Sequence, residues 1–418
     1  MMLKKPLFLA LVFGCTLQAQ MVTLQESIEQ TLHNHPDIKS FVLKIEHSES
    51  AYKSEFSAYM PQINLSANYN VVQTYVLPSN GSFNTLDDTG WSVGVNLKQK
   101  IWDFSYTSSK VAASKLDKSI AKLSLQDMKA LLVYKVTSLY ELMIVQKEAI
   151  EVRQKDLETK QAYYEQAQAL VKEGLKTTAD ASRFLSAVYN AQDNLASAKV
   201  VYEKAKNSLG LYMGKSLPDT LTLERDSIKN QQELHQNIEE EILKSNYQLS
   251  IFLENIQKNI LLHKASKSAH YGSLDAVASY THLDTLNSYN TKVLGVTLNI
   301  PLYSGGKLTA QAQKAKIASQ IAKEQYNSKT LALKEEIESL LLDIKRYKKT
   351  IEAKKAQLTS AEETKKVLDG RYKEGLATYI EVLDATSIVL GAKLGLLEAY
   401  YLKSMALHRI EYLKGKVI

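Results

Sequence analysis

KLDKSIAKLSLQDMKALLVYKVTSLYELMIVQKEAIEVRQKDLETK, residues Lys115 to Lys160, is the interior of a stretch from Ser105 to Glu173 that contains neither Gly nor Pro. Leu, Lys, Glu, Ala and Gln dominate it, and all are good helix formers. At 1.5 Å of rise per residue, one unbroken helix here would be about 100 Å long, a rod no ordinary compact domain can wrap. Met128, Leu132, Val136, Leu139 and Met143 make one apolar row along it; Leu131, Tyr134, Ser138, Leu142, Val145 and Ala149 make a second beside the first. One row suits a two-stranded coiled coil, and two adjacent rows suit a helix with a neighbour on each side. A plain coiled-coil spacer is the other reading of this helix alone. The wall-forming reading gains weight because the helix occurs twice.

Adding 201 to positions in the first half lands on matching residues in the second, without a gap. Gly94-Val95-Asn96-Leu97 maps onto Gly295-Val296-Thr297-Leu298, and Leu132, Val136, Leu139 and Met143 onto Leu333, Ile337, Leu340 and Ile344. Lys172-Glu173-Gly174-Leu175 maps onto Lys373-Glu374-Gly375-Leu376, and Gly214-Lys215 onto Gly415-Lys416. Upstream the offset becomes 211, as Ile63 to Leu274 and Tyr69 to Tyr280 show, so the first copy carries ten extra residues between about 70 and 90. A surface loop best tolerates such an insertion. The chain is a tandem duplication: residues 20–214, a linker over 215–236, and residues 237–418.

Within each copy the hydrophobic period switches. Thr23, followed by Glu26, caps an amphipathic helix that Pro61 ends. Beyond it Ile63, Leu65, Ala67, Tyr69 and Val71 alternate with Gln62, Asn64, Ser66, Asn68 and Asn70, a strand period of two. A turn-rich loop with Pro78, Asn80-Gly81 and Asp87 to Gly90 leads into a return strand. That strand carries Trp91, Val93, Val95, Leu97 and Ile101 on one face and Ser92, Gly94, Asn96, Lys98 and Lys100 on the other. The second copy repeats this with Leu274, Ala276, Ala278 and Tyr280, then Leu294, Val296, Leu298 and Ile300. The expected strands cover about 62–76, 91–102, 273–281 and 292–301. The expected long helices cover about 105–173 and 306–369, and the return helices about 178–209 and 378–413. Lys-Glu-Gly-Leu turns each long helix back, the glycine serving as a left-handed C-cap.

Each hairpin thus has one greasy and one polar face, the pattern of a membrane β-barrel with a wet interior; a hairpin packed on its own helices is the alternative. Four strands cannot close a barrel, and an open edge is forbidden in lipid. The chain must then associate through its strands, and three chains give twelve. No stretch after residue 20 approaches the ~20 consecutive apolar residues of a membrane helix.

Residues 1–19 read as a secretory signal: Lys4 and Lys5, a short apolar run from Pro6 to Gly14, and a cleavage site at Leu17-Gln18-Ala19. Cys15, the only cysteine, makes Val12-Phe13-Gly14-Cys15 a loose match to a lipoprotein signal, with Phe13 too bulky for it. In either case no disulfide staples the mature chain. With 52 basic and 45 acidic residues interspersed along helices, the charge is that of a solvated helix surface, and no basic face points to nucleic acid.

The 201-residue duplication, the two hairpins and the turn motifs together resemble the TolC family of outer-membrane efflux proteins. The most specific stretch is Tyr372-Lys-Glu-Gly-Leu-Ala-Thr-Tyr-Ile-Glu-Val-Leu-Asp-Ala385, similar to that family's hairpin tip; Asn299-Ile-Pro-Leu-Tyr-Ser-Gly-Gly306 resembles its strand-to-helix junction. The resemblance implies a mainly α chain with membrane β-strands. In that arrangement a helix–hairpin–long helix–helix unit is used twice, and a homotrimer forms a 12-stranded barrel continued by a helical tunnel across the periplasm. It implies a periplasmic adaptor and an inner-membrane transporter as partners, outer-membrane lipid as surroundings, and no cofactor. The activity is then export through a tripartite efflux or type I secretion system.

By position in that motif, Glu381 and Asp384 match an acidic pair that rings the periplasmic aperture, and Asp180 and Tyr372 match a polar link that holds it closed. Ala377 stands where some members have arginine, with Ala179 at its partner position, so one closing link is expected to be missing. Gly174-Leu175 and Gly375-Leu376 match the tips that meet the adaptor. Phe104-Ser105 replaces Gly305-Gly306 in the first copy, where a sharper or differently packed bend is expected. For each acid, a solvated helix face is the competing reading. His33 and His35 are expected to be bystanders rather than metal ligands, and no phosphate loop, nucleophile elbow or cysteine–histidine grouping points to an enzyme. A periplasmic coiled-coil protein of structural or adhesive function is the competing reading of the whole.

Overall fold

The computed structural model describes residues 21–79, 81–218, 222–223 and 237–415. The signal segment with Cys15, Asn80, most of the linker, and Lys416 lie outside the described residues. A short strand β1 (Met21–Val22) leads into α1 (Leu24–Asn34) and α2 (Pro36–Phe56). The first hairpin is β2 (Gln62–Ser79) with β3 (Ser82–Trp102), followed by the long α3 (Tyr106–Lys172) and the returning α4 (Thr178–Met213). Then come β4 (Thr222–Leu223), α5 (Ile238–Ser245) and α6 (Tyr247–Ser268). The second hairpin is β5 (Ser273–Asp284) with β6 (Ser288–Asn299), followed by α7 (Lys307–Lys373) and α8 (Tyr379–Leu413). Helices α3 and α7 are each 67 residues long, and their first and last residues are 201 apart at both ends.

One structural break escapes the periodicity. The amphipathic segment after Thr23 is two helices, because Pro36 opens a new one and His35 caps it, its Nδ1 accepting from Asp37 N–H at 3.2 Å. His35 also stacks on Tyr212 at 5.3 Å, so its ring is spent on structure.

Helix α3 has neighbours on both flanks, as its two apolar rows require. Val136, Tyr140 and Met143 are buried with Leu209 and Met213 of α4 and Ile28 of α1. On another side Ala130, Leu131 and Tyr134 pack in a second cluster with Leu333 and Ile337 of α7 and Leu407 and Ile410 of α8. Each fully buried Leu, Met or Ile there contributes about 1.5–3 kcal/mol. The helices therefore satisfy their apolar stripes on one another.

The four hairpin strands form one antiparallel sheet in the order β2-β3-β5-β6, while β1 and β4 pair in parallel on their own, so the two hairpins of the chain are neighbours. Register places Leu65 opposite Val95, Val95 opposite Tyr280, and Ala276 opposite Val296, all on one face. Among the described residues no helix covers that face: Leu65 is 73% exposed, Val95 44%, Val296 62% and Leu298 60%. The opposite face carries Ser66, Asn96, Lys98, Asp275, Ser279 and Thr297, interrupted by Val277 and Val293. Tyr69 and Trp91 pair at one end of the greasy band, with Tyr280 two rows further in, and Trp102, Phe104 and Tyr271 gather at the other. Aromatic girdles at both rims are what a lipid-facing band requires.

Two expectations about the first hairpin need correction. The stretch from Pro78 to Gly90 is not a loop; pairing runs unbroken from Gln73–Asp88 to Ser79–Ser82 after a register shift between Asn70 and Gln73. The ten extra residues lengthen the ladder instead of hanging from it. Gly90 marks a crowded site, since a Cβ there would sit 2.8 Å from the Tyr75 hydroxyl. Nor is the bend at Phe104-Ser105 sharper than its glycine counterpart, although Phe104 does pack on Trp102 and Tyr271 where Gly305 has no side chain. Phe104 and Ser105 have φ of 55° and 75°, against 61° and 79° at Gly305 and Gly306. The copies make the same left-handed turn, and the first pays a steric cost of about 1–2 kcal/mol per residue for doing so without glycine.

Candidate functional site

The far ends of the two long hairpins, some 100 Å of helix from the sheet, hold most of the residues that the tip motif singles out. Both long helices stop in the same way. Gly174 and Gly375 take φ of 73° and 74°, and Leu175 N–H and Leu376 N–H reach back to Leu170 and Arg371 carbonyls at 2.9 and 2.8 Å, a Schellman closure. The leucine that follows each glycine is left in solvent, Leu175 65% and Leu376 68% exposed. Each protomer thus presents two bare apolar tips.

The return helices start on paired capping boxes. Thr177 Oγ1 accepts from Asp180 N–H, and the Asp180 carboxylate accepts from Thr177 N–H at 3.1 Å and from its hydroxyl at 3.0 Å. In the second copy Glu381 does the same for Thr378, at 2.7 and 2.8 Å. Asp180 and Glu381 are 201 residues apart and occupy the same N3 position. The Thr378 bonds, backbone first, hold the Glu381 carboxyl below the usual glutamate range. One Glu381 oxygen is therefore spent on its own helix. Asp384 lies one turn on, exposed and without a partner among the described residues.

Four helices meet just above the tips in an aromatic cluster: Tyr163 of α3, Phe184 of α4, Tyr372 of α7, and Ala377 and Val382 at the start of α8. Phe184 is central, 5.7 Å from Tyr163, 5.8 Å from Tyr372 and 6.2 Å from Tyr379, mostly edge-on. Ala377, 3% exposed, fits into this packing. Tyr372 is 1% exposed and its hydroxyl has no hydrogen-bond partner among the described residues. The link expected between Asp180 and Tyr372 is thus not a bond in the protomer, because the Asp180 carboxylate faces Thr177 instead. The two communicate through charge: burial first, and then Asp180, pushes the Tyr372 phenol up.

The polar tie that does exist at this level lies elsewhere. Tyr163 donates its hydroxyl proton to Asp369 of α7, and Lys365 donates to both, at 3.0 Å to the phenol and 2.6 Å to the carboxylate. Burial and the Asp369 bond push the Tyr163 phenol up. Burial works against the Lys365 ammonium, but its bonds to Asp369 and Tyr163 outweigh that and raise it. Sequence inspection passes over this triad because its members are about 200 residues apart; only the Lys365–Asp369 spacing of four is a local signal.

Nearer the middle of the wall, Glu141 of α3 is fully buried and accepts from Ser404 and, at 2.8 Å, pairs with His408 Nε2 of α8. Here too a polar contact joins one copy to the other. Among the described residues no group of His, Cys, Asp and Glu is arranged to hold a metal ion, and no helix is long and apolar enough to cross a membrane.

A family model described as outer membrane efflux protein matches residues 27–215 and 262–416. Outer membrane protein TolC of Salmonella enteritidis is 29% identical over 122 residues, which is 29% of this chain and 25% of that protein, so the aligned part spans a quarter of the relative's length. Among solved structures, CusC superposes with a TM-score of 0.83 at 18% identity, over 93% of this chain and 91% of the other. The Campylobacter jejuni CmeC outer membrane channel gives 0.81 at 16%, over 94% and 86%. At such identities the likeness is one of fold.

Proposed function

The chain belongs to the outer membrane efflux protein family, and from that premise we propose that it is an outer-membrane exit duct serving an adaptor and an inner-membrane pump. The observation that carries this reading is the sheet. Its greasy face is bare while the helices bury their stripes on each other, so no element of the protomer competes with lipid for Leu65, Val296 or Leu298.

Trimer formation follows from the edges. β2 and β6 each have a neighbour on one side only, and strand direction alternates across the sheet, so β6 of one chain meets β2 of the next antiparallel. Three chains close twelve strands and remove every open edge. The helices carry a matching requirement. Tyr189, Val200 and Leu211 on α4 and Leu331 and Leu342 on α7 remain exposed, and these outer flanks face one another once the strands close.

In that trimer Asp384 and the free oxygen of Glu381 form stacked carboxylate rings at the periplasmic end, where they attract cations and narrow the aperture. Asp180 and Tyr372 serve the closed packing, the first as helix cap and the second as core. Gly174-Leu175 and Gly375-Leu376 present the apolar tips to the adaptor. The choice of cargo rests with the pump, and the duct supplies a wet, passive path.

Fractionation tests the proposal. The duct is extracted from the outer membrane by detergent and runs as a heat-labile trimer. A protein released as a soluble monomer with the periplasm would be the coiled-coil structural protein instead.

A further inference from the structure

A cavity of about 750 Å³ opens where the barrel strands meet the tunnel helices, between α3, α6 and α7. That volume lies within the range of small-molecule sites. The strand residues that reach it, Lys100, Ser273 and Asn299, all belong to the polar face of the sheet: Ser273 pairs with Asn299, and Lys100 with Asp275 two residues on. The cavity therefore opens on the side away from Leu274, Val296 and Leu298.

The duplication reveals what is unusual about it. In the first copy Asp103 sits at the start of the long helix, where it accepts from Thr107 N–H at 2.9 Å and faces Lys100 at 3.5 Å. That carboxylate is itself part of the cavity lining, where it is 9% exposed and balanced on the spot by Lys100. Its counterpart 201 residues later is Ser304, neutral and short, with only a 3.5 Å contact from Leu308 N–H. Yet the second copy adds positive charge here. Lys307 replaces Tyr106, and Lys314 replaces Ala113; both line the cavity and neither has an acidic partner among the described residues. Seven residues apart, they share one side of α7 about 10 Å from each other along the axis. The other acid nearby, Asp275, is buried against Lys98 at 3.1 Å and Ser273 at 3.1 Å and does not line the cavity. The first copy brings its own anion to this corner, while the second brings two cations and none.

We propose that this niche binds an organic anion inside the duct, a phosphate or carboxylate group held between Lys307 and Lys314 with its apolar part against Leu262 and Leu308. The inference rests on the duct reading, because that reading makes the polar sheet face lumenal and keeps membrane lipid out. It assigns the barrel foot a preference for anions, opposite in sign to the acids at the tips, and so a resting point for anionic cargo.

Inorganic pyrophosphate, titrated calorimetrically into the detergent-solubilised full-length protein, tests binding without calling on transport. One site per chain is expected. Its affinity falls roughly tenfold or more in Lys307→Gln/Lys314→Gln, and binding is abolished in Ser304→Asp, whose carboxylate fills the corner as Asp103 does in the first copy. No binding by the native protein, or equal binding by the variants, overturns the niche. Conductance in a planar bilayer separates this from the larger reading. A conducting channel that pyrophosphate leaves unchanged refutes the lumenal site and spares the duct. A protein that binds pyrophosphate but conducts nothing refutes the duct, and the lumenal placement with it.

Discussion

Tyr163 and Asp369 are joined by a hydrogen bond that ties the long helix of one repeat to the long helix of the other, about two to three turns above the hairpin tips. Lys365 completes the tie. If the tips form the closed end of the duct, this bond helps to hold two hairpins that must separate when it opens. Tyr163→Phe deletes the bond, keeps the ring in the aromatic cluster and leaves Lys365 paired with Asp369. A cost of about 1–2 kcal/mol is expected, with a raised open fraction in single-channel recordings. Tyr372→Phe is the control: the hydroxyl it removes is buried and unpartnered, so stability should be unchanged or higher. A gate more sensitive to Tyr372→Phe than to Tyr163→Phe would move the latch back to Asp180 and Tyr372.

The same triad gives a pH dependence of definite sign. Tyr163 and Lys365 both have raised values in the fold. Their contribution is therefore complete below the ordinary tyrosine and lysine range near 10, and fades as pH climbs through the raised values. Conductance should increase on the alkaline side of about pH 10, less so in Tyr163→Phe. A flat profile to pH 11 would show that the triad bears no load.

Glu381 and Asp384 can be separated by experiment. Glu381 closes a capping box, so Glu381→Ala should lower Tm as well as remove any gating charge. Asp384 holds nothing, so Asp384→Asn should weaken cation block of the pore with no change in Tm. Because the folded value of Glu381 is depressed, its contribution to the cap is present above the ordinary glutamate value and is lost as pH falls through the folded one. Unchanged block in Asp384→Asn would place that carboxylate outside the lumen.

Ser105 is strained without benefit: φ is 75° and its side chain caps nothing. Ser105→Gly should raise stability by about 1 kcal/mol, visible as a higher dissociation temperature of the trimer on a gel. Phe104→Gly should not match it, because Phe104 packs on Tyr271 at 5.4 Å. A destabilised Ser105→Gly would mean that the side chain makes a contact between chains.

Val296→Lys puts a charge on the bare sheet face one row in from the Trp102 rim and should cost between the ~1 kcal/mol of an interface and the ~2–4 kcal/mol of the midplane, read as a reduced share in the membrane fraction. Thr297→Lys, one residue along and on the polar face, should insert normally. Equal behaviour of the two would end the lipid-facing assignment.

Much of this architecture can be read from residues alone, and where it cannot the reasons are physical. The helix limits repeat at 201 because local signals set them: Gly174 and Gly375 at one end, Thr177 and Thr378 at the other. The faces of the sheet are legible because period two leaves no choice once Leu65 and Val95 are paired. Pro78 and Gly90 misled, since turn formers were tolerated inside a ladder near its tip and opposite a register shift. The Thr-x-x-Asp and Thr-x-x-Glu boxes were readable in advance, and they qualify the acids assigned to the gate by likeness alone. Tyr163 with Asp369, and Glu141 with Ser404, had no local signature, because such contacts exist only once the two copies stand side by side.

The two hairpins differ in reach. Strands of 18 and 21 residues stand beside strands of 12 and 12. In the proposed ring of three chains, tall staves alternate with low ones, so its outer lip is a three-pointed crown. In that proposed ring, anything that meets the cell from outside touches Val76, Leu77 and Phe83 near the crown's points before it finds the opening. The seal lies in the shared lower course of strands, which leaves those points free to change in sequence without a leak.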